Sequence, residues 1–173
     1  MGKNFVREVL FPTDLSPGSE KIHNHVKGLA CTLAARLHVL TVVEPLDSPP
    51  FYPPHICHDR SLEDYQDRVL ERLERQLKET CAVEFKCLFT IPVITKGMVH
   101  RQIIDYAHDN KIDLIIMGTT TRAEPSARLL GNTTAMVVAS AKCPVITINP
   151  QRTEQVEGVE TAYDTDGAKE SGK

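Results

Sequence analysis

Five short runs of aliphatic and β-branched residues alternate with helix-like stretches through the first 150 residues of this chain. Val6–Asp14 (VREVLFPTD), Arg36–Glu44 (RLHVLTVVE), Phe85–Gly97 (FKCLFTIPVITKG), Ile112–Met117 (IDLIIM) and Pro144–Asn149 (PVITIN) read as strands. Ile112–Met117 is nearly all apolar, the composition of a strand buried on both faces. Strict strand–helix alternation calls for a parallel sheet covered by helices, and right-handed crossovers leave few topologies. The predicted fold is α/β: a doubly wound five-stranded parallel sheet, order 3-2-1-4-5, with helices on both faces. Strands 1 and 4 are then neighbours, and the winding reverses between them. Ligands of such sheets bind beyond the carboxyl ends of the strands at that switch point. Thr13-Asp14, closing strand 1, and Gly118, closing strand 4, meet there.

The intervening segments carry helix signals. Ser16-Pro17 supplies an N-cap and a proline at the first helical position. Ile22, Val26, Leu29 and Leu33 follow at helical spacing. Residues 45–60 hold five of the eleven prolines and read as a long extended loop. A helix is predicted over Ser61–Cys81, with Tyr65, Val69, Leu73 and Leu77 on one face. Its polar face bears Asp64–Arg68, Glu71–Arg75 and Glu74–Lys78 pairs at i,i+4. Pro92 removes a ladder donor and places its strand at a sheet edge or a bulge. Met98–Asn110 is a short helix with Ile103, Tyr106 and Ala107 inward, and Asn132–Ala141 another. Beyond Pro150 almost no large apolar residue occurs, and disorder is expected. The chain thus divides into a folded unit over 1–150 and an acidic tail over 151–173.

Charge excludes one class of partner. The tail holds six acids and three bases of the chain's 23 and 20, which leaves 17 of each in residues 1–150. No basic stripe is available to neutralise phosphates, so no nucleic-acid partner is expected. No apolar run is long enough to cross a bilayer, and no signal-peptide layout opens the chain, so a cytoplasmic location is expected. Cys31, Cys57, Cys81, Cys87 and Cys143 contain no CxxC pair. They argue against a disulfide framework, and most read as core fillers. His23, His25, His38, His100 and His108 read as surface residues.

The chemistry-bearing segment is Gly118–Asn132 (GTTTRAEPSARLLGN), a strand that empties through glycine into a polar loop before a helix N-terminus. Asp14 would accept hydrogen bonds from a ribose or help hold a hydrated metal. Its alternative is a turn carboxylate bonded to nearby backbone amides. Arg122 and Arg128 would meet phosphates or sit as solvent-facing loop charges. The FPTDLS start, the GMVHRQIIDYAHDNKIDLIIMG run and the CPVITI end together resemble the universal stress protein family over roughly residues 4–149.

That resemblance implies an adenine nucleotide alpha hydrolase-like, Rossmann-like fold. It also implies a loop similar to Gly-x2-Gly-x9-Gly-Ser/Thr, whose amides and hydroxyls hold ribose and phosphates. Gly118 and Gly131 match the outer glycines. Thr121 stands at the second glycine position and Asn132 at the Ser/Thr position, with Thr133 beside it. A β-branched Thr121 disfavours positive φ and brings a side chain towards the phosphates, while Asn132 remains a helix cap. By the same resemblance Thr13 and Asp14 lie near the nucleoside, and the backbone of Val42 and Val43 contacts adenine. The implied ligand is ATP or AMP, with Mg²⁺ accompanying ATP. Family members often dimerise through their last strand, here Val145–Ile148, an apolar edge that needs covering.

His55, Cys57, His58 and Asp59 lie close together, but their spacing fits no standard zinc site. A flap over the crevice or a dimer surface is the preferred role, and no metal is expected. No Walker loop, Gly-x-Ser-x-Gly elbow or His-Glu-x2-His motif occurs, and no catalytic residue is assigned. The leading reading is a regulatory module of the stress-protein type that holds an adenine nucleotide. The alternatives are a nucleotide-independent dimeric interaction protein and a weak ATP hydrolase.

Overall fold

The computed structural model describes residues 6–44, 59–119 and 131–150, with side chains of 59–66 left out. The elements are β1 (Glu8–Pro12), α1 (Pro17–Glu20), α2 (His23–Leu33), β2 (Arg36–Val43), α3 (Asp59–Glu84), β3 (Thr90–Lys96), α4 (Val99–Asp109), β4 (Leu114–Gly118), α5 (Asn132–Ser140) and β5 (Val145–Ile148). The sheet order is β3-β2-β1-β4-β5, and every pairing is parallel. This is the topology expected from strict alternation. Among the described residues no helix is long and apolar enough to cross a membrane.

Period-2 alternation along the strands builds two cores. Val9, Phe11, Leu37, Val39, Leu114 and Ile116 pack against Val26 and Ala30 of α2 and Leu77 and Cys81 of α3. Leu10, Leu40, Ile115 and Met117 face the other way, onto Ile103 and Ala107 of α4 and Val137 of α5. Each of the Val, Leu, Ile, Phe and Met side chains among them contributes about 1.5–3 kcal/mol by leaving water. The Asp113 carboxylate accepts the amides of Arg7 (2.8 Å) and Glu8 (3.0 Å), pinning the start of β4 to β1. Pro92 lies on β3, which among the described residues pairs only with β2, so the strand is the edge that its missing donor calls for.

Several local expectations need correction. The third strand begins at Thr90 and not at Phe85, because the Leu88 amide turns back onto the Phe85 carbonyl (2.8 Å). Phe85 is nonetheless fully buried, seated on Phe11 at 6.1 Å between ring centroids. Ser16 does cap a helix, accepting the Ser19 amide at 3.3 Å, but that helix stops at Glu20 and a second starts at His23. α3 is longer than Ser61–Cys81 at both ends.

His23 and His38 are buried, not surface residues. His38 lies in the run Leu37–Thr41 of β2, which is buried at every position, so both faces of the strand meet protein there. Its Nε2 meets Glu8 Oε2 at 2.9 Å and its Nδ1 meets the Tyr106 hydroxyl at 2.8 Å. Cysteine placement is also mixed: Cys81 is buried and Cys143 half-buried, but Cys31 and Cys87 are exposed.

Candidate functional site

The carboxyl ends of β1, β2 and β4 open into a crevice of about 550 Å³, within the range of small-molecule sites. One wall is the turn after β1. The Thr13 amide donates to the Leu40 carbonyl (2.9 Å), and Thr13 Oγ1 accepts the Leu15 amide (3.0 Å) and pairs with Ser19 Oγ (2.7 Å). These bonds hold Leu15 at φ 55°, a left-handed conformation that costs a non-glycine residue about 1–3 kcal/mol. Burial of the Leu15 side chain and the Gln76 amide on its carbonyl (3.2 Å) offset that cost. Asp14 lines the crevice while its Oδ1 accepts the Ser16 amide at 3.1 Å. The turn role is therefore realised through Oδ1.

The opposite wall is the mouth of the Gly118–Asn132 segment. The Thr119 amide donates to Ile148 (2.9 Å), and the Thr119 carbonyl accepts the Gly131 amide (3.0 Å). Thr134 Oγ1 donates to the Gly118 carbonyl at 3.0 Å. The two ends of the loop are thus stapled together, and Gly118, Gly131, Asn132 and Thr133 all line the crevice. Thr121, Arg122 and Arg128 lie outside the described residues. So do His55, Cys57 and His58, while Asp59 opens α3.

Gly131, not Asn132, is the N-cap of α5; Asn132 is the first helical residue. Glycine has no side chain to cap with, so the first amides of α5 carry no side-chain partner from this position. Gly131 has φ −66°, and Gly118 is not among the positive-φ residues, so neither glycine is required by backbone conformation. A Cβ on Gly118 would touch Ile22 at 3.4 Å, which is ordinary contact.

Val42 lines the crevice, and Val43 does not. Alternation sends Val42 to the α4 side with Leu40, and the Val43 carbonyl accepts the Gly97 amide at 3.0 Å. The crevice also uses residues that sequence reasoning passed over: Glu44, Val99, Ile103, Met117 and Thr119. Val99 and Ile103 are one turn apart on α4, a spacing that signals a shared face but not what it faces. Among the described lining residues Asp14 and Glu44 are acidic and none is Lys or Arg. Among the described residues no group of three or more His, Cys, Asp or Glu is placed to hold a metal ion.

With this geometry in place, comparison with known proteins is informative. The family model described as "Universal stress protein family" matches residues 6–149. Universal stress protein MJ0531 of Methanocaldococcus jannaschii is 27% identical over 155 residues, covering 88% of each chain. Among solved structures, universal stress protein UspA from Lactobacillus plantarum superposes with a TM-score of 0.66 at 24% identity, covering 83% of this chain and 99% of that one. A universal stress protein solved in complex with cAMP gives a TM-score of 0.59 at 18% identity, with 84% and 98% covered.

Proposed function

Because the chain belongs to the universal stress protein family, we propose that it is a regulatory module whose β1–β4 crevice holds an adenine nucleotide, AMP in preference to metal-free ATP. The observation that carries this reading is the crevice itself. It sits at the topological switch point, and α5 directs first-turn amides at it without a side-chain cap. Leu40, Val42, Val99, Ile103 and Met117 offer an apolar wall for a base. Asp14 is assigned to the ribose hydroxyls, and the amides at Asn132 and Thr133 to phosphate.

The preference for one phosphate rests on charge. Asp14 and Glu44 would repel a triphosphate, and no described lining residue is cationic. Mg²⁺ would relieve this for ATP, with the same two carboxylates supplying oxygens. Arg122 and Arg128 are the loop cations available to add charge. The cAMP complex of a structural neighbour is in keeping with a singly phosphorylated adenine ligand. We further propose that the outer edge of β5 pairs with a second copy.

The test is calorimetric titration of the purified chain with AMP, ATP and ATP with Mg²⁺, beside mass spectrometry of ligand released on denaturation. Asp14→Asn keeps an oxygen for the Ser16 amide but removes an acceptor and the charge. Its expected effect is about a tenfold loss of AMP affinity, the size of one good hydrogen bond. No heat at millimolar AMP or ATP and no released nucleotide would sink the reading. Thr121 and Asn132, which depart from the phosphate-loop pattern, favour a nucleotide-independent dimer in that event.

A further inference from the structure

At the other end of the sheet, the last turn of α2 and the short turn between α3 and β3 bring two thiols together. Cys31 Sγ and Cys87 Sγ lie 3.6 Å apart across 56 residues of sequence. We propose that Cys31 and Cys87 are an oxidation site, a dithiol that a hydroperoxide converts into an intramolecular disulfide.

Three observations support the site. Both cysteines are exposed, so a small oxidant reaches them directly. The sulfurs are already in van der Waals contact, and a disulfide at about 2.05 Å requires them to close by only about 1.5 Å. Cys87 belongs to the Phe85–Leu88 turn and not to a helix or strand, so this approach disturbs no ladder. The other described cysteines lack this setting. Cys81 is buried, and burial pushes its thiol up; Cys143 is half-buried and raised for the same reason.

Either thiol can donate in the contact between the pair, and the Cys31 thiol is pushed up, first by its hydrogen bond to Cys87. Either sulfur can react first, and both courses end in the same disulfide. When Cys87 reacts first, its thiolate displaces the alcohol oxygen from the peroxide O–O bond, giving Cys87 sulfenic acid and an alkoxide that takes up a proton. The Cys31 sulfur then attacks the Cys87 sulfur. The S–S bond forms, the S–O bond breaks, and hydroxide leaves as water with the Cys31 proton. Two thiols lose two electrons, and one hydroperoxide becomes an alcohol and water. The product ties α2 to the α3–β3 turn, at the end of the sheet away from the ligand crevice.

The experiment uses the full chain, reduced and then exposed to a small excess of hydrogen peroxide. Free thiols fall from five to three per chain, and peptide mapping without reductant finds Cys31 joined to Cys87. Dithiothreitol restores five. In Cys31→Ser the reaction halts, and dimedone labels Cys87. Five intact thiols, a bond to another cysteine, or a link between chains on a non-reducing gel would overturn the assignment. The wild-type mapping stands without the variant should Cys31→Ser misfold.

Discussion

His23 is packed between two phenylalanines, 5.6 Å from Phe11 and 5.2 Å from Phe85 between ring centroids. Its Nε2 is buried without a hydrogen-bond partner. Burial pushes its pKa below the ordinary 6.5, outweighing the raising influence of Glu84 and Glu20. The folded chain therefore holds the ring neutral where the unfolded chain already binds a proton. Stability is intact above pH 6.5 and declines as pH falls from there through the folded pKa. Glu8 acts in a lower window. Burial raises its carboxyl, but Arg36 and His38 donate to it and leave it below the ordinary 4.5. Its contribution is lost only as pH drops below that value. Urea unfolding at pH 7.5 and pH 5.5 separates the two: the native chain loses stability between them, and His23→Phe removes most of that loss. A variant with an unchanged pH slope would show that another group is responsible. Reading His23 and His38 as surface residues failed for a physical reason. Residue type reports the cost of burial, whereas these rings are placed by neighbours distant in sequence, Phe85 for one and Glu8 and Tyr106 for the other.

Element by element, the local signals that survived are those that need no distant partner. Ser16-Pro17 marks a helix start because capping uses only residues within one turn. The break after Glu20 and the turn at Phe85–Leu88 were hidden, since Ile22 and Phe85 continue the apolar pattern while the backbone changes course. α2 itself is built against two local preferences, and both are correctable. Gly28 is an exposed interior glycine, and a Cβ there would meet nothing within 4 Å. Gly28→Ala is expected to stabilise by about 0.5–1 kcal/mol through helix propensity. Ala34 ends the helix at φ 49°, a left-handed C-cap whose amide bonds to the Ala30 and Cys31 carbonyls. Ala34→Gly relieves about 1 kcal/mol of steric cost. Chemical denaturation of both single variants and the double should show gains that add. A loss for Ala34→Gly would mean that residue 34 is not held left-handed in solution.

At the scale of the whole molecule, topology was legible because alternation and crossover handedness leave few sheet orders, and the doubly wound order found here locates a crevice by itself. Its inner surface was not legible. Glu44, Val99 and Ile103 enter through the way α4 lies over β2, which no local pattern encodes. The same order leaves two edges, and they differ. β3 carries Pro92 and ends in Lys96, both features that discourage strand addition. β5 is Val145-Ile146-Thr147-Ile148, with neither proline nor charge, and Ile146 is 37% exposed. Met136 and Val138 of α5 are exposed beside it in sequence order. An apolar edge of this kind, unpaired among the described residues, is a template for another strand, which is why the proposed second copy is placed there. Ile146→Lys should then bring the mass in sedimentation analysis from twice 19.3 kDa to 19.3 kDa. Val83→Lys, which places the same charge on a more exposed apolar residue of α3, should leave the mass unchanged. A monomeric native chain would refute the dimer outright. A dimer that survives Ile146→Lys would move its interface away from β5, and a dimer broken by Val83→Lys would move it to α3.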